Sequence, residues 1–109
     1  MIDQDLINDI FAKDECIIYE RELKNTNKGR ELVLQEPVYE GRCNFQDGED
    51  MLRRLVQLGI EGDGFLYLDT VEDVSINDVA EITTDYETIT GTVVAKNNLS
   101  SYVIVKKRS

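Results

Sequence analysis

The stretch 64–107 most limits what this chain can become. It holds four short runs, 65–68, 79–82, 88–94 and 101–105, in which Val, Ile, Leu, Thr, Tyr and Phe dominate. β-Branched and aromatic residues pack well on a pleated, half-buried surface. The spacers 69–78, 83–87 and 96–100 carry Asp, Asn and Ser, whose short polar side chains bond to nearby backbone and favour turns. Short strands joined by polar turns predict a mainly β chain, a small antiparallel barrel or sandwich. With 109 residues there is room for one core, so 1–109 reads as a single domain.

The first half adds to that sheet. Residues 16–19 read as a strand that continues toward Leu23, and 24–30 as a polar turn ending at Gly29. Residues 37–45 read as a second main strand, with 31–36 as its extension on the returning side. Pro37 lacks an N–H, so it belongs at the start of that strand or on an edge. Ile18, Val38, Phe45, Leu66, Ile82, Val94 and Ile104 are the expected core. At the N-terminus, Ile2, Leu6, Ile7, Ile10 and Phe11 recur at spacings that put them on one face of a short helix within 1–12. A helix this short is unstable alone. Leu6, Ile10 and Phe11 are therefore expected to dock, on the chain's own sheet or on a partner.

Between the two β halves lies an insert, 47–63. Met51, Leu52, Leu55, Val56 and Leu58 fall at helical spacings, with Arg53 and Arg54 on the other side. Asp47 is the expected N-cap and Gly59 the stop. Gly48, Gly59, Gly62 and Gly64 flank the helix as expected hinges. The apolar face is small, so the insert is expected to be mobile in the isolated chain and to become ordered on assembly.

Chemistry has few footholds. There is no histidine, which excludes Ser–His and Cys–His nucleophile pairs. Carboxylates are abundant, but no Trp is present to wall a sugar site. The glycine-spaced run 59–64 follows a helix and precedes a strand, the reverse of a phosphate loop, and Glu61 and Asp63 would repel phosphate. The acidic run Asp69, Glu72, Asp73 and Asp78 has Val71, Val74 and Ile76 where a calcium loop needs oxygen ligands or glycine, so it reads as a solvated turn. No enzyme activity, metal or cofactor is expected. Cys16 and Cys43 read as small buried side chains in the reduced state.

The net charge is −10, from 22 acidic and 12 basic residues. Phosphate binding needs clustered Lys and Arg, so free nucleic acid is a poor ligand. The one basic cluster, Lys106, Lys107 and Arg108, reads as a solvated tail. No apolar run is long enough to span a membrane, and a cytoplasmic place of synthesis is expected.

The order of elements resembles the head-completion, or head-tail connector, proteins of tailed bacteriophages, including the stopper group. The resemblance runs from the strand at 16–19, through the hairpin loop ending at Gly29 and the strand 37–45, to the insert 47–63. It then takes in the short strand 65–68, the turn 72–78, and the last strands with Gly91 and 102–105. It implies a structural virion protein, made in the bacterial host, that forms a homo-oligomeric ring at the phage neck. Such a ring completes the DNA-filled head and contacts a portal or adaptor ring and tail proteins. DNA would only pass through its channel. By position, Asp47, Gly48, Met51, Leu52, Arg53, Arg54, Leu55, Val56, Gly59, Gly62 and Asp63 would lie near the ring axis and help close it. Two other readings remain open on the residues alone: another small phage tail-completion protein, and an acidic cytosolic adaptor or inhibitor.

Overall fold

The computed structural model describes residues 13–26 and 29–108, with side chains described outside 22–35. The expected N-terminal helix, with Leu6, Ile10 and Phe11, lies outside the described residues.

Six antiparallel strands close into a barrel. They are β1 (Asp14–Thr26), β2 (Gly29–Gln46), β3 (Gly64–Leu68), β4 (Val79–Thr83), β5 (Thr88–Asn97) and β6 (Tyr102–Lys107). One helix, α1 (Glu49–Leu58), is inserted between β2 and β3. Around the wall the order is β1-β2-β3-β6-β5-β4, and β4 pairs back to β1. Closure leaves no open edge in the wall, which removes the usual route to edge-to-edge association there.

Alternation along the strands builds the interior. On β5, Ile89, Gly91 and Val93 are buried, and Ile18, Leu66, Ala80, Ile82, Val103 and Val105 join Val93 in the main core. Of the seven expected core residues, Ile18, Leu66, Ile82 and Ile104 are buried. Val38 and Phe45 are half-buried and pack against the main core, and Val94 packs against a second cluster described below. Cys16 and Cys43 are buried and free.

In the 69–78 loop, Asp69, Glu72 and Asp73 are exposed, as a solvated turn requires, but the loop as a whole is not solvated. Val71 and Val74 are buried in the main core, so the loop closes one barrel end. Asp78 is buried beside them, and its Oδ2 accepts the Ser75 N–H at 2.7 Å. Lys96 Nζ donates to the carbonyls of Glu72 (3.3 Å) and Val74 (2.7 Å). Burial pushes the Asp78 carboxyl above the usual carboxylate range, the Ser75 hydrogen bond opposes this, Glu20 adds to it and Lys96 opposes it.

The β1–β2 hairpin outgrows the barrel. β1 meets β4 only at Glu15 to Tyr19, and β2 meets β3 only at Cys43 to Gln46. Beyond that, Arg21↔Leu34 through Thr26↔Gly29 form a two-stranded ladder. At about 3.3 Å per residue it extends roughly 17 Å past the wall. Two register shifts separate this arm from the wall, each leaving an extra residue on β2. Pro37 sits between them. It is inside β2 rather than at a strand start, and the shifts spare the ladder its missing N–H.

The register defines two ends. Asp14, Gln46, the 84–87 turn and Lys107 share one with α1; Tyr19, the 69–78 loop and the 98–101 turn share the other, from which the arm leaves.

Candidate functional site

Two surfaces stand out: the insert clasped to the barrel, and the outer wall at the base of the arm.

α1 starts at Glu49 with Gly48 as its N-cap, and no side chain caps it. Asp47, the expected cap, is instead drawn to Lys107, 3.2 Å away. Glu49 and Asp50 complement the dipole at the first turn. Gly59 ends the helix in the left-handed region (φ 71°), and its N–H bonds the Val56 carbonyl at 3.1 Å. Most of this was legible in the sequence.

The seating of the helix was not. Leu55 is buried with Phe65 and Ile104, and Met51, Ile60, Tyr67, Val94, Ala95 and Tyr102 complete a second apolar cluster on the outer wall of β3, β6 and β5. Phe65 and Tyr102 meet edge to face at 5.2 Å, and the Arg54 guanidinium lies 5.6 Å from the Phe65 ring centre. β3 is thus covered on both faces, which explains its unbroken apolar run.

The return loop is pinned as well. Asp63 N–H donates to Val105 O at 2.8 Å, and Lys107 N–H donates to Asp63 Oδ2 at 2.7 Å. Lys106 Nζ lies 2.7 Å from Glu61 Oε1; each group shifts the other toward its charged form. The basic tail is therefore engaged with the insert rather than merely solvated. Gly62 is no hinge. A Cβ there would meet Ile104 Cγ2 at 2.6 Å, so glycine is needed for close approach. These contacts run against the expected mobility of the insert, because the barrel itself supplies the apolar surface that a neighbour was expected to supply. Of the expected insert residues, Leu55 is buried and Met51, Gly62 and Asp63 are half-buried against the wall. Leu52, Arg53, Val56 and Gly59 face solvent with Asp47 and Gly48, and Arg54 is exposed over Phe65. Val56 is 80 % and Leu52 40 % exposed, so the helix keeps an apolar outer face.

The second surface went unnoticed in the sequence because its residues are far apart along the chain. On the outer wall of β2, β1 and β4, the rows Glu40–Ile17–Glu81 and Arg42–Glu15–Thr83 lie side by side. With the backbone at Cys16 and Gly41 they enclose a groove of about 310 Å³. Three carboxylates face one guanidinium there. On the inner face of the same stretch of β2, Tyr39 packs against the main core, donates its hydroxyl to Arg42 O at 2.6 Å and accepts the Asp69 N–H at 3.3 Å. Burial pushes its phenol up to about 12. The base of the arm is thereby tied to the end loop.

Among the described residues, no group of three or more His, Cys, Asp or Glu is placed to hold a metal ion. No helix among them is long and apolar enough to cross a membrane. No family model, curated protein or solved structure matches the chain.

Proposed function

We propose that this chain is a ring-forming structural protein of the tailed-phage neck, completing the DNA-filled head and joining it to the tail. The observation that carries the reading is the placement of the helical insert. It stands between β2 and β3 of a closed barrel, and this element order is what the resemblance to head-tail connectors rests on. The acidity is suited to the task. A ring of chains each carrying −10 surrounds a negative field, which keeps a passing duplex off the wall.

In this reading the insert acts as a fixed outer rib of the subunit. Its exposed Leu52 and Val56 offer apolar contact to a ring neighbour or to the portal side, while Leu55 anchors it. Closing the channel with this segment would require it to leave the cluster around Phe65, so the proposal does not depend on that step.

The experiment is assembly with a neck. Purified protein is mixed with a portal ring bearing its adaptor and imaged by electron microscopy. A stacked ring with an axial channel wide enough for duplex DNA is the expected result. Failure to add any density to the portal complex, at protein concentrations well above those of the portal, would sink the reading.

A further inference from the structure

We propose that in the free chain the N-terminal segment 1–12 packs along the exposed flank of α1, with Leu6 and Ile10 against Leu52 and Val56. The inference goes beyond the ring reading and can fail separately from it. A ring neighbour would reach this flank only by displacing the segment.

The flank is built from described side chains. Large exposed hydrophobics among the described residues are Leu52, Val56, Leu58, Ile76, Tyr86 and Leu99. Leu52 and Val56 stand one turn apart on the same side of α1, whereas Ile76, Tyr86 and Leu99 sit singly in loops. With Glu49, Arg53 and Gln57 they line a shallow groove of about 420 Å³. Leu55 faces the barrel, so α1 has a second apolar row that the barrel does not cover. Arg53, between the two apolar side chains, reaches only Asp50, at 3.8 Å and in solvent. An exposed pair of that length contributes little, which leaves the guanidinium open to another carboxylate.

The sequence of 1–12 carries the complement. Ile2, Leu6 and Ile10 recur every four residues, and Asp5 and Asp9 form a parallel acidic row beside them. The segment holds three Asp and no Lys or Arg. Its point of attachment is at the right end of the barrel. The described chain enters β1 at Asp14, whose Oδ2 accepts the Phe45 N–H at 3.0 Å. α1 begins at Glu49, four residues after Phe45, or at most about 14 Å of chain. A helix over 3–11 would be about 14 Å long, close to the roughly 15 Å of α1. The segment runs toward this corner and α1 runs away from it, so the two would lie antiparallel with opposed dipoles. That arrangement brings Asp5 and Asp9 within a turn of Arg53. A second copy's segment is the weaker occupant. The tether holds the chain's own segment at an effective concentration on the order of millimolar, above that of other copies in dilute protein.

The test is nuclear magnetic resonance on the full-length chain alone, with no portal present. Contacts between the methyl groups of Leu52 and Val56 and those of Leu6 and Ile10 are expected. They should be absent from an isotope-filtered spectrum of mixed labelled and unlabelled protein, because they arise within one chain. Val56→Asp should abolish them and raise amide exchange over 2–11 at least about tenfold, with the barrel resonances unchanged. Arg53→Glu should weaken the same contacts, and adding Asp5→Lys with Asp9→Lys should restore them. Leu99→Asp, at the other barrel end, should leave 2–11 unmoved. Contacts that appear in the filtered spectrum would give the flank to a second copy and overturn the inference. So would contacts from Leu6 and Ile10 to any other surface, exchange over 2–11 that is already fast in the wild type, or resonances of 2–11 that ignore Val56→Asp.

Discussion

Replacing Leu55 by Ala tests whether the insert is held by the barrel or waits for a neighbour. Leu55 is 2 % exposed and is the one α1 side chain buried with Phe65 and Ile104. Burying a leucine fully contributes about 1.5–3 kcal/mol, and the cavity left by truncation raises the usual cost to about 2–5 kcal/mol. The site lies at the edge of the fold, where α1 can settle toward the wall and fill part of the void. The lower part of that range, about 2–3 kcal/mol, is therefore expected. The other fastenings cannot compensate. The Lys106–Glu61 and Lys107–Asp47 pairs are solvent-exposed, and exposed pairs add little. Native-state amide exchange is the assay. In the wild type, amides of α1 and those of Ile60 and Asp63, which donate to Leu55 O and Val105 O, should be protected. In Leu55→Ala their exchange should quicken by about 25- to 150-fold, the factor that corresponds to 2–3 kcal/mol. Barrel amides such as those of Leu66 and Val103 should quicken less if the helix opens as its own unit. Fast exchange throughout α1 in the wild type, or no change in α1 on truncation, would refute this reasoning.

Further outcomes follow from other parts of the barrel. Gly91→Ala should lower stability by about 1–3 kcal/mol in urea unfolding, because an added Cβ would overlap the Val105 side chain inside a packed wall. Asp78 has a raised carboxyl pKa in the folded state, so its protonated form is favoured by folding. Its contribution is complete below the ordinary carboxylate pKa and is lost as pH rises through the raised value. The stability difference between the wild type and Asp78→Asn should therefore shift in favour of the wild type as pH falls from 7 to 4; a pH-independent difference would count against it. The Cys43 thiol is pushed up by its hydrogen bond with Cys16 and by burial, so both cysteines should resist a thiol reagent until denaturant is added. Adding reductant should leave the melting temperature unchanged. Tyr39→Phe should loosen the arm's base by removing the hydroxyl shared by Arg42 O and Asp69 N–H, seen as faster exchange at Asp69.

Local pattern was enough to find each of the six strands, because β-branched runs bounded by turn residues have few other uses, but not their lengths: β1 runs through Thr26 and β2 starts at Gly29, inside the stretch 24–30 that reads as a turn. The helix of the insert and its stop at Gly59 were equally local, since 3.6-residue spacing and a positive-φ glycine are properties of a few neighbouring residues. The net charge and the missing histidine bounded the chemistry without any fold at all. Tertiary structure decided where each face points and what covers it. Val71 and Val74 plug a barrel end although their neighbours along the chain are acidic, because burial is set by what lies across space. Leu55 found its apolar surface on Phe65 and Ile104, from strands that begin after the insert, and the helical spacing within α1 does not say which side chains it will meet. The groove of Glu15, Glu40 and Glu81 exists only because β1 pairs with both β2 and β4. Strand closure is a long-range pairing, and its register brings together charges that the linear chain keeps apart.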